Sequence, residues 1–167
     1  MTIIKNFQLL ANFNAWANMK IFVSCKKLDE REYKKDRKAF FTSIHGTLNH
    51  LLVIDKVYIS RIEGKNHGMK KMNQILYEHI GRLEEARIKE DKRLIDLVNN
   101  LSEENIHKEI TYESFESGDI TYTINFILTT LFNHQTHHRG QVHNMLSQAG
   151  IIPPQIDIPD YKESLKI

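Results

Sequence analysis

The stretch Leu131-Phe132-Asn133-His134-Gln135-Thr136-His137-His138-Arg139-Gly140-Gln141-Val142-His143 holds four of the chain's nine histidines. It lies inside a longer helical pattern. Ile124, Ile127, Leu128, Leu131, Met145 and Leu146 recur at helical spacing and predict one amphipathic helix over 123–148. Gly150 and then Pro153-Pro154 stop it. On this helix His134 and His138 stand one turn apart on one face, where two imidazoles can share a metal ion. Continuing the apolar stripe beyond Leu131 places His134 or Gln135, then His138, then Gln141 or Val142 on or beside it. Asn133, His137, Gly140 and Asn144 fall on the polar side. The helix is therefore expected to supply two metal ligands, with the third coming from elsewhere in the chain.

Upstream, the period changes between 106 and 123. Ile110-Thr111-Tyr112 and Ile120-Thr121-Tyr122-Thr123 favour extended backbone around Ser117-Gly118-Asp119, which predicts a short β-hairpin or two extended pieces. A helix is expected over 74–99, with Leu76, Ile80, Leu83, Leu94, Leu97 and Val98 on its buried side. The segment 64–74 reads as a loop. Another helix is expected from 42 or 43 to 62, with Ser43 as N-cap and Gly64 as C-terminal stop. Residues 28–41 read as a charged connector, in which 29–32 resembles the start of a short helix. The first helix is expected over 6–27, with Trp16 in the core and Cys25 as a small buried hydrophobe. The tail around 157–161 is expected to be extended across the bundle. Four long helices with one longer connection before the last predict an all-α four-helix bundle, and no composition shift divides 1–167 into more than one domain.

Charge and composition narrow the function. The 23 basic and 21 acidic residues nearly cancel, which argues against a dedicated nucleic-acid binder. A single cysteine rules out an intramolecular disulfide and fits a reducing cytoplasm. The first residues lack the order of a signal peptide, and no apolar run approaches the roughly 18 residues of a membrane span. The phosphate-loop, dinucleotide, nucleophile-elbow and H-E-x-x-H motifs are absent. A zinc-type site needs a third ligand. Periodicity leaves His45, His50 and Asp55 all open for that role.

Phe13-Asn14-Ala15-Trp16-Ala17-Asn18, Ser43 to Leu52 with the following Asp55, the 133–143 stretch, and Ser147 to Gly150 followed by Asp157-Ile158-Pro159 together resemble the DinB family of DinB/YfiT-like metalloenzymes, over nearly the whole chain. The resemblance implies a four-helix bundle that forms a homodimer and holds a divalent metal on one histidine of the second helix and two of the last. Carried onto this sequence, the ligands are His50, His134 and His138. Zinc or nickel is the expected ion, with iron as a further candidate. The resemblance also implies a metal-dependent thiol S-transferase or hydrolase, using a low-molecular-weight thiol and a small-molecule electrophile. The alternative is a non-catalytic, stress-related protein in which the metal braces the bundle. Asp55, Arg139 and Gln141 are the candidate catalytic or supporting residues, with Arg139 also readable as a surface or dimer-contact residue. His137 and His143 are expected to be bystanders.

Overall fold

The computed structural model describes residues 1–115 and 117–166. Its elements are α1 (Ile3–Cys25), α2 (Glu30–Lys34), α3 (Ile44–Glu63), α4 (Ile80–Asn99), β1 (Glu109–Ser114), β2 (Gly118–Thr123), α5 (Ile124–Gln148) and α6 (Ile158–Ser164). The four long helices α1, α3, α4 and α5 form the bundle. The two strands pair antiparallel, with Ile110 opposite Tyr122 and Tyr112 opposite Ile120. Local chemistry sets the helix ends. Thr2, Ser43 and Thr123 each accept a backbone N–H from the first turn of α1, α3 and α5. Gly64 closes α3 at φ +67°, a left-handed conformation that costs glycine nothing. Among the described residues no helix is long and apolar enough to cross a membrane.

Two apolar cores occupy opposite ends of the bundle. One gathers Ile21 and Phe22 of α1, Leu48 and Leu52 of α3, Leu83 of α4, and Val142 and Met145 of α5. The other gathers Phe7 and Ala11, Ile59, Leu94 and Val98, and Leu128 and Leu131 from the same four helices. The shared ends show that α1 and α5 run one way and α3 and α4 the other. Along each helix, between the two cores, lie buried polar residues: Asn14 and Asn18, Asp55, Arg87 and Asp91, and Gln135 and Arg139. They are joined to one another. Arg87 Nη2 lies 2.8 Å from Asp55 Oδ2 and 3.1 Å from Asp91 Oδ1. Asn14 and Asn18 donate to Asp91 at 3.2 and 3.0 Å, and Arg139 donates to Asn14, Asn18 and Gln135. The layer brings two guanidinium groups and two carboxylates together, so its buried charges balance.

Because α3 and α4 are parallel, the chain must return along the full length of α3, about 30 Å for its 20 residues. Residues 64–79 make that crossover. The expected helix over 74–99 accordingly starts six residues later, at Ile80. Asn49 accounts for the delay: its Oδ1 accepts the N–H groups of Leu76 at 2.9 Å and Tyr77 at 3.0 Å, so these amides are committed across the bundle rather than along a helix. The long connection is thus here as well as before α5. Two further expectations are corrected. The tail is not extended, because α6 forms at 158–164 with Pro159 in its first turn and the Asp160 carboxylate accepting the Asp157 N–H at 3.0 Å. Trp16 is only half-buried, and packs 5.6 Å from the ring of Tyr161, so α6 covers it from outside the core.

Candidate metal centre

His50 of α3 and His134 and His138 of α5 each present a ring nitrogen within 4.8 Å of the other two. The long antiparallel packing of α3 on α5 brings them together across the bundle. His50 Nε2 and His134 Nε2 lie 2.9 Å apart. Each flanking ring is oriented from its far side. His50 Nδ1–H donates to the Met72 carbonyl of the crossover at 2.7 Å, and His138 Nδ1–H donates to Gln141 Oε1 at 2.7 Å. Both bonds leave Nε2 bare and turned toward the cluster, the arrangement in which metal-bound imidazoles are held by outer partners. Gln141 in turn donates to His137 Nε2 at 3.1 Å.

Burial is the main cause that keeps these rings neutral. It pushes His134 down to about 3, with the neighbouring His138 and His50 adding to the effect. It pushes His50 down to about 4, against the pull of the Met72 carbonyl. His138 is lowered in the same sense. Neutral imidazole is the ligating form, so all three are poised to bind near pH 7. Two bare nitrogens at 2.9 Å repel unless a cation or proton sits between them, and metal–nitrogen bonds of about 2.0–2.1 Å would set tetrahedral ligands about 3.3 Å apart. The donor set therefore fits a divalent ion once the three nitrogens, now within 4.8 Å of one another, draw to a common spacing. Three imidazoles suit zinc, nickel, iron or copper and not calcium or magnesium, which prefer oxygen.

The other residues singled out from sequence fall elsewhere. His45 Nε2 meets the Tyr77 carbonyl at 3.0 Å and helps hold the crossover. Asp55 is fully buried against Arg87, its carboxyl pushed up to about 6 by burial against the opposing guanidinium. It belongs to the polar layer and does not reach the three histidines as a ligand. Arg139 is neither a surface nor a contact residue, since it is 3% exposed in that same layer. Gln141 is the one supporting candidate that touches a histidine of the cluster. Cys25 is buried and its thiol is pushed up to about 12, which removes it as a nucleophile.

Phe41 was not singled out by sequence. Its ring stacks on His50 at 3.7 Å between centroids and meets His138 edge-on at 5.4 Å. The loop carrying it turns through Lys38 and Thr42 at φ +59° and +61°, and lies so close to α3 that a Cβ at position 46 would collide with the Phe41 carbonyl. Gly46, a glycine inside a helical pattern, was the available signal of that close approach.

Residues 3–166 match the DinB family. The chain belongs to the DinB family. DinB proteins similar to it include "Protein DinB" of Bacillus subtilis (strain 168), 30% identical over 150 residues that cover 84% of each chain. A solved structure of a DinB-like protein from Bacillus cereus ATCC 10987 superposes with a TM-score of 0.70 at 17% identity, covering 92% of this chain and 97% of that one. That likeness establishes the shared DinB fold.

Two expectations follow for this DinB centre. Gln141→Met removes the acceptor that orients His138 while keeping side-chain length. Metal affinity, measured by competition with a chromophoric chelator, is expected to fall about 10- to 100-fold. The second concerns pH. The folded-state values of His50 and His134 lie below the ordinary 6.5, so the unfolded chain binds more protons there than the folded one. Stability of the metal-free protein should therefore fall as pH drops from about 6.5 toward 4. Asp55 acts oppositely, because its raised value makes the folded state take a proton first. Comparison with His134→Leu cancels Asp55. The urea midpoint of that variant should depend less steeply on pH, and equal slopes would refute the assignment.

Proposed function

We propose that this protein is a metal-dependent enzyme of the thiol S-transferase kind, with His50, His134 and His138 holding a divalent ion. The observation that carries the reading is the set of three neutral imidazoles, two of them anchored from their far side, with no fourth protein ligand among the described residues. Structural zinc sites close all four positions, whereas catalytic ones keep one for water or substrate. A divalent ion so held supplies Lewis acidity that lowers the pKa of a thiol or water at the remaining position.

The chain's own residues do the rest. The Met72 carbonyl and Gln141 fix the two flanking rings. Phe41 covers one face of His50 and keeps water from it. In the proposed reaction the sulfur of a low-molecular-weight thiol bonds to an electrophilic carbon. The leaving group departs with its electron pair, and the thiol proton passes to water. Two apolar cores and a charge-balanced layer join the four helices apart from the three histidines, which favours a catalytic over a bracing ion.

The test is elemental analysis of untagged protein, followed by thiol consumption assays. Cysteine, glutathione and coenzyme A would each be paired with a haloarene or an alkyl halide. Turnover above the uncatalysed rate, lost in His138→Ala, supports the reading. Fully metal-loaded protein that turns over neither thiols nor a panel of esters and amides would return the ion to a structural role.

A further inference from the structure

The hairpin leans over α3 and α5 and forms with them a solvent-open cavity of about 350 Å³. Its walls are aromatic: Tyr58 of α3, Tyr112 of β1, Tyr122 of β2 and Phe126 of α5, with Tyr122 and Phe126 stacked at 4.4 Å. Set among them is Arg61. Its guanidinium lies 3.9 Å from the centroid of Tyr112 and 5.7 Å from those of Tyr58 and Phe115. Arg61 Nη2 donates to the Glu113 carbonyl at 3.1 Å. Its Nε–H is buried and has no acceptor among the described residues. No carboxylate pairs with Arg61 among the described residues, whereas Arg37, Arg82, Arg87 and Arg93 all have one within 3.1 Å. Glu113 and Asp119 face each other across the strands on the exposed side of the hairpin, opposite the cavity.

A planar cation stacked on aromatic faces, with a buried donor left over, is suited to a carboxylate taken side-on. The flat walls suit an unsaturated or aromatic body. Two of the residues lining the cavity connect it to the histidine cluster. Met72 lines it and supplies the carbonyl that holds His50, and Thr130 lines it one helical turn before His134. We infer that this cavity binds a flat organic carboxylate, its anionic end on Arg61 and its body between the tyrosines, and that this carboxylate is the class of molecule presented to the metal centre. The second clause rests on the function proposed above; the binding itself does not. Burial lowers the pKa of Arg61, opposed by the neighbouring Tyr112 and Tyr58 hydroxyls and by no carboxylate.

Calorimetric titration of the full chain with 2-naphthoate, 2-naphthalenemethanol and acetate tests this. Naphthoate is expected to bind at least tenfold tighter than the alcohol, and acetate not measurably. Arg61→Met should abolish that preference while leaving the alcohol's affinity unchanged. Metal-free His134→Ala should bind naphthoate as the parent does, which separates this cavity from anion binding at the ion and from failure of the proposed activity. Equal affinities for acid and alcohol, no binding, a preference that survives Arg61→Met, or naphthoate binding lost in His134→Ala would each overturn the inference. Should Arg61→Met not fold by circular dichroism, Thr130→Trp fills the cavity from α5. Loss of both naphthyl ligands is then expected, and retained binding refutes it.

Discussion

His134→Ala is expected to lose its metal. Removing one of three imidazoles should weaken affinity by more than about 100-fold, because loss of even an outer partner costs 10- to 100-fold. Elemental analysis after dialysis against a weak chelator reads the outcome directly. The control is His137→Ala, three residues away and exposed, which contacts the cluster only through Gln141 and the edge of the His138 ring. It should keep stoichiometric metal. The contrast separates a site built on the one-turn spacing of His134 and His138 from adventitious binding by a histidine-rich segment, for which both variants would lose metal in similar proportion. Far-ultraviolet circular dichroism should be unchanged in both, since His134 sits beside the cores and not within them. Retention of full metal by His134→Ala would remove the three-histidine assignment.

How much of this was legible beforehand depended on range. The spacing of His134 and His138, the caps at Ser43 and Gly64, and the change of period before α5 are local features, and the sequence reading places all of them where they occur. The third histidine is not local. His45 and His50 lie on the same helix, and which one meets α5 depends on how α3 is rotated against it and on where the crossover lies. Periodicity carries neither quantity; only the family resemblance selected His50. Asn49 was likewise silent. It reads as one more polar residue on α3, yet its amide holds the crossover and thereby the Met72 carbonyl segment behind His50. The start of α4 was missed for that reason. Leu76 and Ile80 do keep a helical step, but a competing side-chain acceptor outbids the helix for the Leu76 and Tyr77 amides. The surface reading of Arg139 fails because a charged residue on a helix is usually solvated, whereas here its partners are Asn14 and Asn18 of α1 and Gln135 one turn back, all buried.

Arg87→Met should cost about 3–5 kcal/mol of stability, the range for breaking a buried ion pair from one side. Arg87 is 3% exposed, and its Nη2 serves both Asp55 and Asp91, themselves 0% and 5% exposed. Methionine replaces much of the stem but none of the charge, so two carboxylates face each other with only Arg139 left as a cation in the layer. For a chain of this size the loss corresponds to a fall of roughly 6–20 °C in Tm, measured on chelator-treated protein so that metal linkage does not contribute. Adding Asp55→Leu removes one of the stranded charges. The double variant should then recover part of the loss, a favourable coupling that two independent sites would not show. A single-variant loss below about 1 kcal/mol would mean that water reaches the layer and solvates it. The layer also bears on the metal centre through geometry. Gln135 and Arg139 occupy it from α5, each one residue after His134 and His138, about 100° around the helix. One rotation of α5 satisfies both sets, so the polar layer that sets the helix against α1 also aims its two histidines at His50.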